Sequence, residues 1–148
     1  MEHRKRWIVL VLTVATLPLA ACGGGAGGSE EATEPAVLEQ IEGSDAMRIV
    51  LTEKAAERLA IETAPAQEAS ADGTSVQVAI PYAAVLYEPE GTTFTYTSTE
   101  PLVFVRQPIT VDRIEGDLAF LTEGPPAGTA VVVVGAAELF GTELGIDH

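Results

Sequence analysis

Few side chains in this sequence could carry a reaction, and their spacing narrows the choice further. Histidine occurs at positions 3 and 148 only. His148 sits at the last position, where fraying backbone holds no fixed geometry, so neither a Ser-His-Asp relay nor a histidine-based metal site is expected around it. The sequence contains no Gly-x-Ser-x-Gly elbow and no His-Glu-x-x-His pair. Carboxylates cluster twice: Glu88 and Glu90 flank Pro89, and Asp112, Glu115 and Asp117 surround a predicted hairpin tip. Either group could hold a calcium ion or act as an acid/base pair, yet neither has calcium-loop spacing, and carboxylates on turns are usually solvated. The glycines from Gly23 to Gly28 lack the preceding strand and the following Gly-Lys-Ser/Thr of a phosphate loop. No catalytic residue, no metal and no cofactor is therefore expected, and the chain does not read as an enzyme. Among the aromatics, Phe94, Tyr96, Phe104 and Phe120 are expected in a core. Tyr82, Tyr87 and Phe140 are the better candidates for an exposed contact, although core packing is favoured for them too.

The one residue with a specific chemical reading is Cys22, the single cysteine. A lone thiol excludes an intramolecular disulfide and a zinc site built from several cysteines. It follows a basic segment, Arg4-Lys5-Arg6, and an apolar run from Trp7 to Ala21, the pattern of a secretory signal. Fifteen residues of helix span roughly 22 Å, short of the ~30 Å hydrocarbon core, so an uncleaved membrane helix fits less well. The run ends Leu19-Ala20-Ala21-Cys22. Here the chain resembles the bacterial lipoproteins, in which this lipobox pattern precedes a cysteine that is lipid-modified and becomes the first residue. An ordinary signal peptide followed by a free thiol is the weaker alternative. The resemblance implies cleavage after residue 21, a membrane-lipid partner through acylated Cys22, and a location on the extracytoplasmic face of the cell membrane.

Charge fits a body held off that membrane. The 148 residues include 8 Lys+Arg against 22 Asp+Glu, a net charge of −14. Cleavage removes Arg4, Lys5, Arg6 and Glu2, leaving 127 residues with 5 basic and 21 acidic side chains, a net charge of −16. Such a surface repels both nucleic-acid phosphates and anionic headgroups, so no nucleic-acid partner is expected. With 47% hydrophobic residues the chain can still bury a core. Residues 22–47 are glycine-rich, then acidic, without sustained periodicity, and read as a flexible linker. A coil of that length would hold the body on average about 25–30 Å from the lipid.

Three parts follow: a signal peptide at 1–21, the linker at 22–47, and a β-rich domain at 48–148. Thr52 can cap a two-turn helix over Glu53 to Ala60, with Ala55 and Leu59 four apart on one face. Ile61 to Ala66 can return as a strand. After a turn at Asp72-Gly73, Val76, Val78 and Ile80 alternate as a half-buried strand does, and Ala84 to Tyr87 continue as a bent one. After the Glu88 to Gly91 turn, Phe94 and Tyr96 share one face while Thr93, Thr95 and Thr97 share the other, which predicts an amphipathic strand. Leu102 to Val105, Ile109 to Ile114 and Leu118 to Leu121 follow, the last two as a hairpin about Glu115-Gly116-Asp117. Val131 to Val134 suits a central strand covered on both faces. The fold class is mainly β, a small barrel or roll of about six to eight short strands with one short helix. The apolar tail from Leu139 to Ile146 is expected to pack back on the roll, with a free partner-binding tail as the alternative.

The order Ala79-Ile80-Pro81-Tyr82-Ala83-Ala84-Val85-Leu86, Glu90-Gly91, Phe94-Thr95-Tyr96, Val105 to Val111, Gly116 to Phe120, Glu123-Gly124, Gly128 to Val132 and Gly135-Ala136 is similar to one family's pattern. It resembles the carboxy-terminal membrane-proximal domain of the periplasmic adaptor subunits, or membrane fusion proteins, of efflux pumps. Arg48 to Pro65 resembles the short stretch those adaptors carry near their amino end. Between the two stretches the adaptors place a lipoyl-like domain and usually a long helical hairpin, for which the gap Ala66 to Ser75 is far too short. The resemblance therefore implies a non-catalytic module that leans on transporter subunits without reaching an outer channel. A surface lipoprotein that binds a small ligand or ion is the alternative. The anchor has a direct test: Cys22→Ala is expected to free the protein from the membrane fraction and to remove the lipid mass, whereas a variant that stays fully membrane-bound with unchanged mass would contradict it.

Overall fold

The computed structural model describes residues 34–43, 46–70, 73 and 75–145. The expected signal peptide, the lipobox residues Leu19, Ala20 and Ala21, the anchor Cys22, and His148 lie outside the described residues. So does Asp72 of the expected turn, although Gly73 has the positive φ (+73°) that a turn glycine supplies.

Among the described residues the fold is mainly β. Its strands are β1 (Ala36–Gln40), β2 (Met47–Leu51), β3 (Glu62–Pro65), β4 (Gln67–Ala69), β5 (Gln77–Pro81), β6 (Leu86–Tyr87), β7 (Thr93–Glu100), β8 (Val103–Glu115), β9 (Leu118–Glu123) and β10 (Ala130–Val134). Two helices, α1 (Glu53–Arg58) and α2 (Ala136–Glu143), accompany them. The sheet runs β3-β10-β7-β8-β9-β5-β4, with the β1–β2 hairpin attached to β8 through β2 and with β6 on β7. All of these pairs are antiparallel. The two ends of that path, β3 and β4, are successive pieces of one chain segment. Between them, the Ala66 N–H donates to the Thr129 carbonyl (2.8 Å) and its carbonyl accepts from the Gly128 N–H (2.8 Å). The sheet therefore curls into a half-barrel whose ends meet at a single bent strand.

Three local readings of the sequence hold. The Thr52 side chain accepts from the Ala55 N–H (3.2 Å) and starts α1, with Glu53 in the first turn and Arg58 in the last, each suited to the helix dipole. The β8–β9 hairpin turns where expected, with Gly116 at φ +58°. Strand β10 is central, between β3 and β7, and is covered on both faces at Val131 and Val132, whereas Val134 at its end is exposed.

Other readings change. Ala36–Gln40, inside the expected linker, form β1, which pairs with β2 from Ala36↔Leu51 to Gln40↔Met47. Isolated, the stretch lacks a periodic signal, because four of its five residues are exposed and pairing with β2 is what orders it. Of the bent strand expected over Ala84 to Tyr87 only Leu86–Tyr87 form β6, and Ala84 instead ends a 3-10 turn over Tyr82–Ala84. The tail packs back on the sheet as expected, but as a helix: α2 buries Ala136 and Leu139, and Phe140 packs against the same core. Its entry residue, Gly135, has φ +79°, and a Cβ there would collide with the Ile61 side chain and lie 2.8 Å from the Leu59 carbonyl oxygen.

The largest change concerns β7. Residues 94–97 are all buried, the threonine face included. Phe94 and Tyr96 belong to a core with Ile49, Leu51, Phe104, Val132 and Leu139. Thr97 lies opposite Val131 and Thr93 opposite Ile109, and those two apolar residues belong to the other core, with Ile80, Ala84, Ala119 and Leu121. Cross-strand partners share a face, so β7 separates the two cores and has no solvent side at its centre.

Strand β8 is the second shared element. Val103 to Val105 pair with β2 on one flank and β7 on the other, whereas Thr110 to Glu115 pair with β9. Pro108 falls between these two flanks, in the stretch that pairs with β7 alone, so the missing N–H breaks no ladder bond on the outer side. Register shifts between Thr110 and Arg113 bend the strand where it changes partners.

Candidate functional site

The densest polar cluster forms where α2 crosses the sheet. Strand β8 presents Arg106 opposite Tyr96 of β7, and α2 brings Phe140 and Glu143 over both. The Arg106 guanidinium lies 4.1 Å from the Phe94 ring centroid and 5.5 Å from that of Phe140. One guanidinium nitrogen donates to Glu143 Oε1 at 3.2 Å, and another pairs with Glu88. The Tyr96 hydroxyl donates to the other oxygen of Glu143. Glu88 in turn accepts from the Thr92 hydroxyl. Phe94 also meets Phe140 at 5.2 Å in a tilted arrangement and Tyr96 edge-on at 5.7 Å.

This constellation is a clasp. Arginine's planar fork suits two carboxylates at once, and the flanking rings favour a cation held against their faces. With both carboxylates engaged and both rings stacked, few donors remain for a substrate. Burial foremost, then the hydrogen bond to Glu143 and that residue's charge, push the Tyr96 phenol well above its ordinary value. Tyr96 therefore stays protonated and serves as a donor, not as a base or nucleophile.

The two acidic clusters singled out by sequence resolve differently. Glu88 belongs to the clasp, while Glu90 is exposed on the turn closed by the Gly91 N–H to the Glu88 carbonyl (2.9 Å). At the hairpin, Asp112 and Glu115 both hold Arg113, at 2.6 Å and 2.8 Å. That guanidinium also donates to Gln77 and lies 4.5 Å from the Phe120 ring centroid. The hydrogen bond to Glu115 is the foremost reason its pKa rises further. Asp112 and Glu115 are thus engaged by a neighbouring cation, while Asp117 is exposed at the hairpin tip. Among the described residues no group of three or more potential metal ligands comes together.

Aromatic exposure divides the three candidates. Tyr82 and Tyr87 are exposed, and a side-chain hydrogen bond with Tyr82 is the main reason the Tyr87 phenol is raised. Phe140 is half-buried in the clasp. Phe94, Tyr96, Phe104 and Phe120 are buried, as expected.

A groove of about 590 Å³ lies beside the clasp helix, and sequence reasoning missed it. Its floor is formed by Ala36 and Leu38 of β1, Leu51 of β2, Ala55 of α1 with Leu59 at its C-terminal end, and Gly141 of α2. Arg58, Glu34 and Glu138 stand at its walls. The groove exists because β1 and α2 approach the same face of α1, and both of these elements escaped the sequence reading. Among the described residues no helix is long and apolar enough to cross a membrane. Comparison of the chain with family models, with curated proteins and with solved structures finds no match.

The clasp has a quantitative test. In a thermodynamic cycle, Tyr96→Phe and Glu143→Gln are each expected to cost about 1–3 kcal/mol of stability, with a coupling of about 1 kcal/mol between them. Arg106→Met should cost more than either, because it leaves two carboxylates facing each other. Chemical denaturation of the wild type, the Tyr96→Phe and Glu143→Gln variants and their double variant measures the coupling, and strict additivity would show that the hydroxyl and carboxylate do not act as a unit.

Proposed function

We propose that this protein is a non-catalytic, lipid-anchored module on the extracytoplasmic face of the cell membrane, where it associates with transporter subunits. The observation that carries the reading is the way the two adaptor-like stretches meet. Arg48 to Pro65 supplies β2, α1 and β3, and the second stretch supplies the strands from β5 to β10. Strand β2 pairs with β8 and β3 pairs with β10, so the stretches that adaptors hold apart in sequence complete one curled sheet here. The segment between them is a short return through β4 that closes the half-barrel at Ala66. A membrane-proximal domain relieved of its inserted domains needs a connector of this kind. The internal engagement of Arg106, Arg113 and their carboxylates agrees with a binding or docking role.

A second reading, a surface lipoprotein that takes a small ligand, is favoured by the groove between β1, α1 and α2. The volume is in the range of small-molecule sites, and a ligand-dependent rise in melting temperature would support this reading.

The leading reading is tested by chemical crosslinking in native membranes, gentle solubilisation, capture of the tagged lipoprotein and identification of the crosslinked chains by mass spectrometry. Transporter subunits are the expected partners. Recovery of the protein alone would overturn a stable adaptor-like role.

A further inference from the structure

Among the described residues, strand β1 is hydrogen-bonded along one side only. Its single neighbour is β2, and among the described residues no strand lies along its other edge. Such an edge exposes a row of backbone donors and acceptors that accepts another extended chain, and proteins usually blunt it with proline, lysine or a covering element. Here the nearest proline, Pro35, precedes the strand, and β1 carries no lysine. Instead it presents large apolar side chains on both faces: Val37 is 43% exposed and Leu38 39%. Because side chains alternate, Ala36 and Leu38 point to the groove face and Val37 and Glu39 to the opposite one. A strand added beyond β1 would set every second side chain beside the apolar floor of the groove.

Charge selects the occupant. Glu34, Glu39 and Glu42 lie along this edge and its turn, and Glu138 stands across the groove. Arg48 pairs with Glu39 at 3.8 Å, whereas Glu34, Glu42 and Glu138 make no ion pair among the described residues. Among the described residues that line the groove, Arg58 is the one cation. Two copies joined edge to edge would bring their acidic rows together, on top of a chain that already carries a net charge of −14. An extended segment that alternates apolar residues and carries lysine or arginine meets both the apolar floor and the acidic rim.

We propose that the free edge of β1 is a docking site for an extended, basic segment of a partner protein, added as a further strand beside the groove. Residues Ala36–Gln40 lie outside both adaptor-like stretches, so the inference stands whether or not the partner belongs to a transporter.

The test uses the full chain in detergent with two synthetic probes. One is a capped peptide of alternating valine and threonine flanked by lysines, and the other carries glutamates in place of the lysines. Fluorescence anisotropy reads affinity, and hydrogen exchange reads protection at Ala36–Gln40. The lysine peptide is expected to bind and protect β1, and the glutamate peptide to bind about tenfold or more weakly. The exposed double substitution Glu34→Lys with Glu42→Lys is expected to reverse that preference. Glu123→Lys on β9, distant in the sheet order, is expected to leave it unchanged. Equal binding of both peptides, no binding of either, or equal weakening by Glu123→Lys would overturn the proposal. So would self-association of the protein with protection at β1, which would assign the edge to a second copy.

Discussion

The structure depends on β7 being buried on both faces. A four-residue stretch, Phe94 to Thr97, lies between two apolar cores, and each core uses it as a wall. On one side Phe94 and Tyr96 meet α2 and the β2 end of the sheet. On the other the threonines face the cluster built on Ile80, Ile109, Leu121 and Val131. Threonine tolerates this position because its branched shape suits a strand and its hydroxyl can turn to a neighbouring carbonyl. Thr93 donates to the Ile109 carbonyl at 2.8 Å and Thr97 to the Val105 carbonyl at 3.2 Å, both across to β8. Among the described residues the buried Thr95 hydroxyl has no hydrogen-bond partner, a cost of about 1–3 kcal/mol that the packing around it must exceed.

From that wall the other features follow. Strand β8 must be long to border β2, β7 and β9 in turn, and Pro108 sits where it changes outer partners. Residues Glu62–Ala69 must bend at Ala66 to close the curl. Helix α2 must lie on the aromatic face of β7, where the clasp of Arg106, Glu143, Tyr96 and Glu88 fastens it. The polar chemistry of the described residues is thereby directed inward, to fastening elements together. The surfaces left open among the described residues include a groove and a strand edge.

The parts legible in the sequence are those specified by near neighbours. Thr52 three residues before Ala55 suffices for a helix cap, and Glu115-Gly116-Asp117 between apolar strands suffices for a hairpin. The mainly β class follows from the many short apolar runs with turn residues between them. What was not legible depends on partners distant in sequence. Arg106 and Glu143 are 37 residues apart, and nothing local links them. The alternation of phenylalanine and tyrosine with threonine in β7 reads as a strand with one wet face, and only the second core shows that face to be dry. Strand β1 is ordered by β2, and the groove in turn needs β1 and α2, so neither could be read before the fold was known.

The central claim is that one strand couples two cores into a single cooperative unit, and native-state hydrogen exchange at increasing denaturant tests it most directly. The account predicts that the slowest amides of β5 and β9, of β2 and α2, and of β7 itself converge on one opening free energy equal to that of global unfolding. A distinctly lower opening free energy for β5 and β9, with β7 and β8 still closed, would show that the cores unfold separately and would contradict the account.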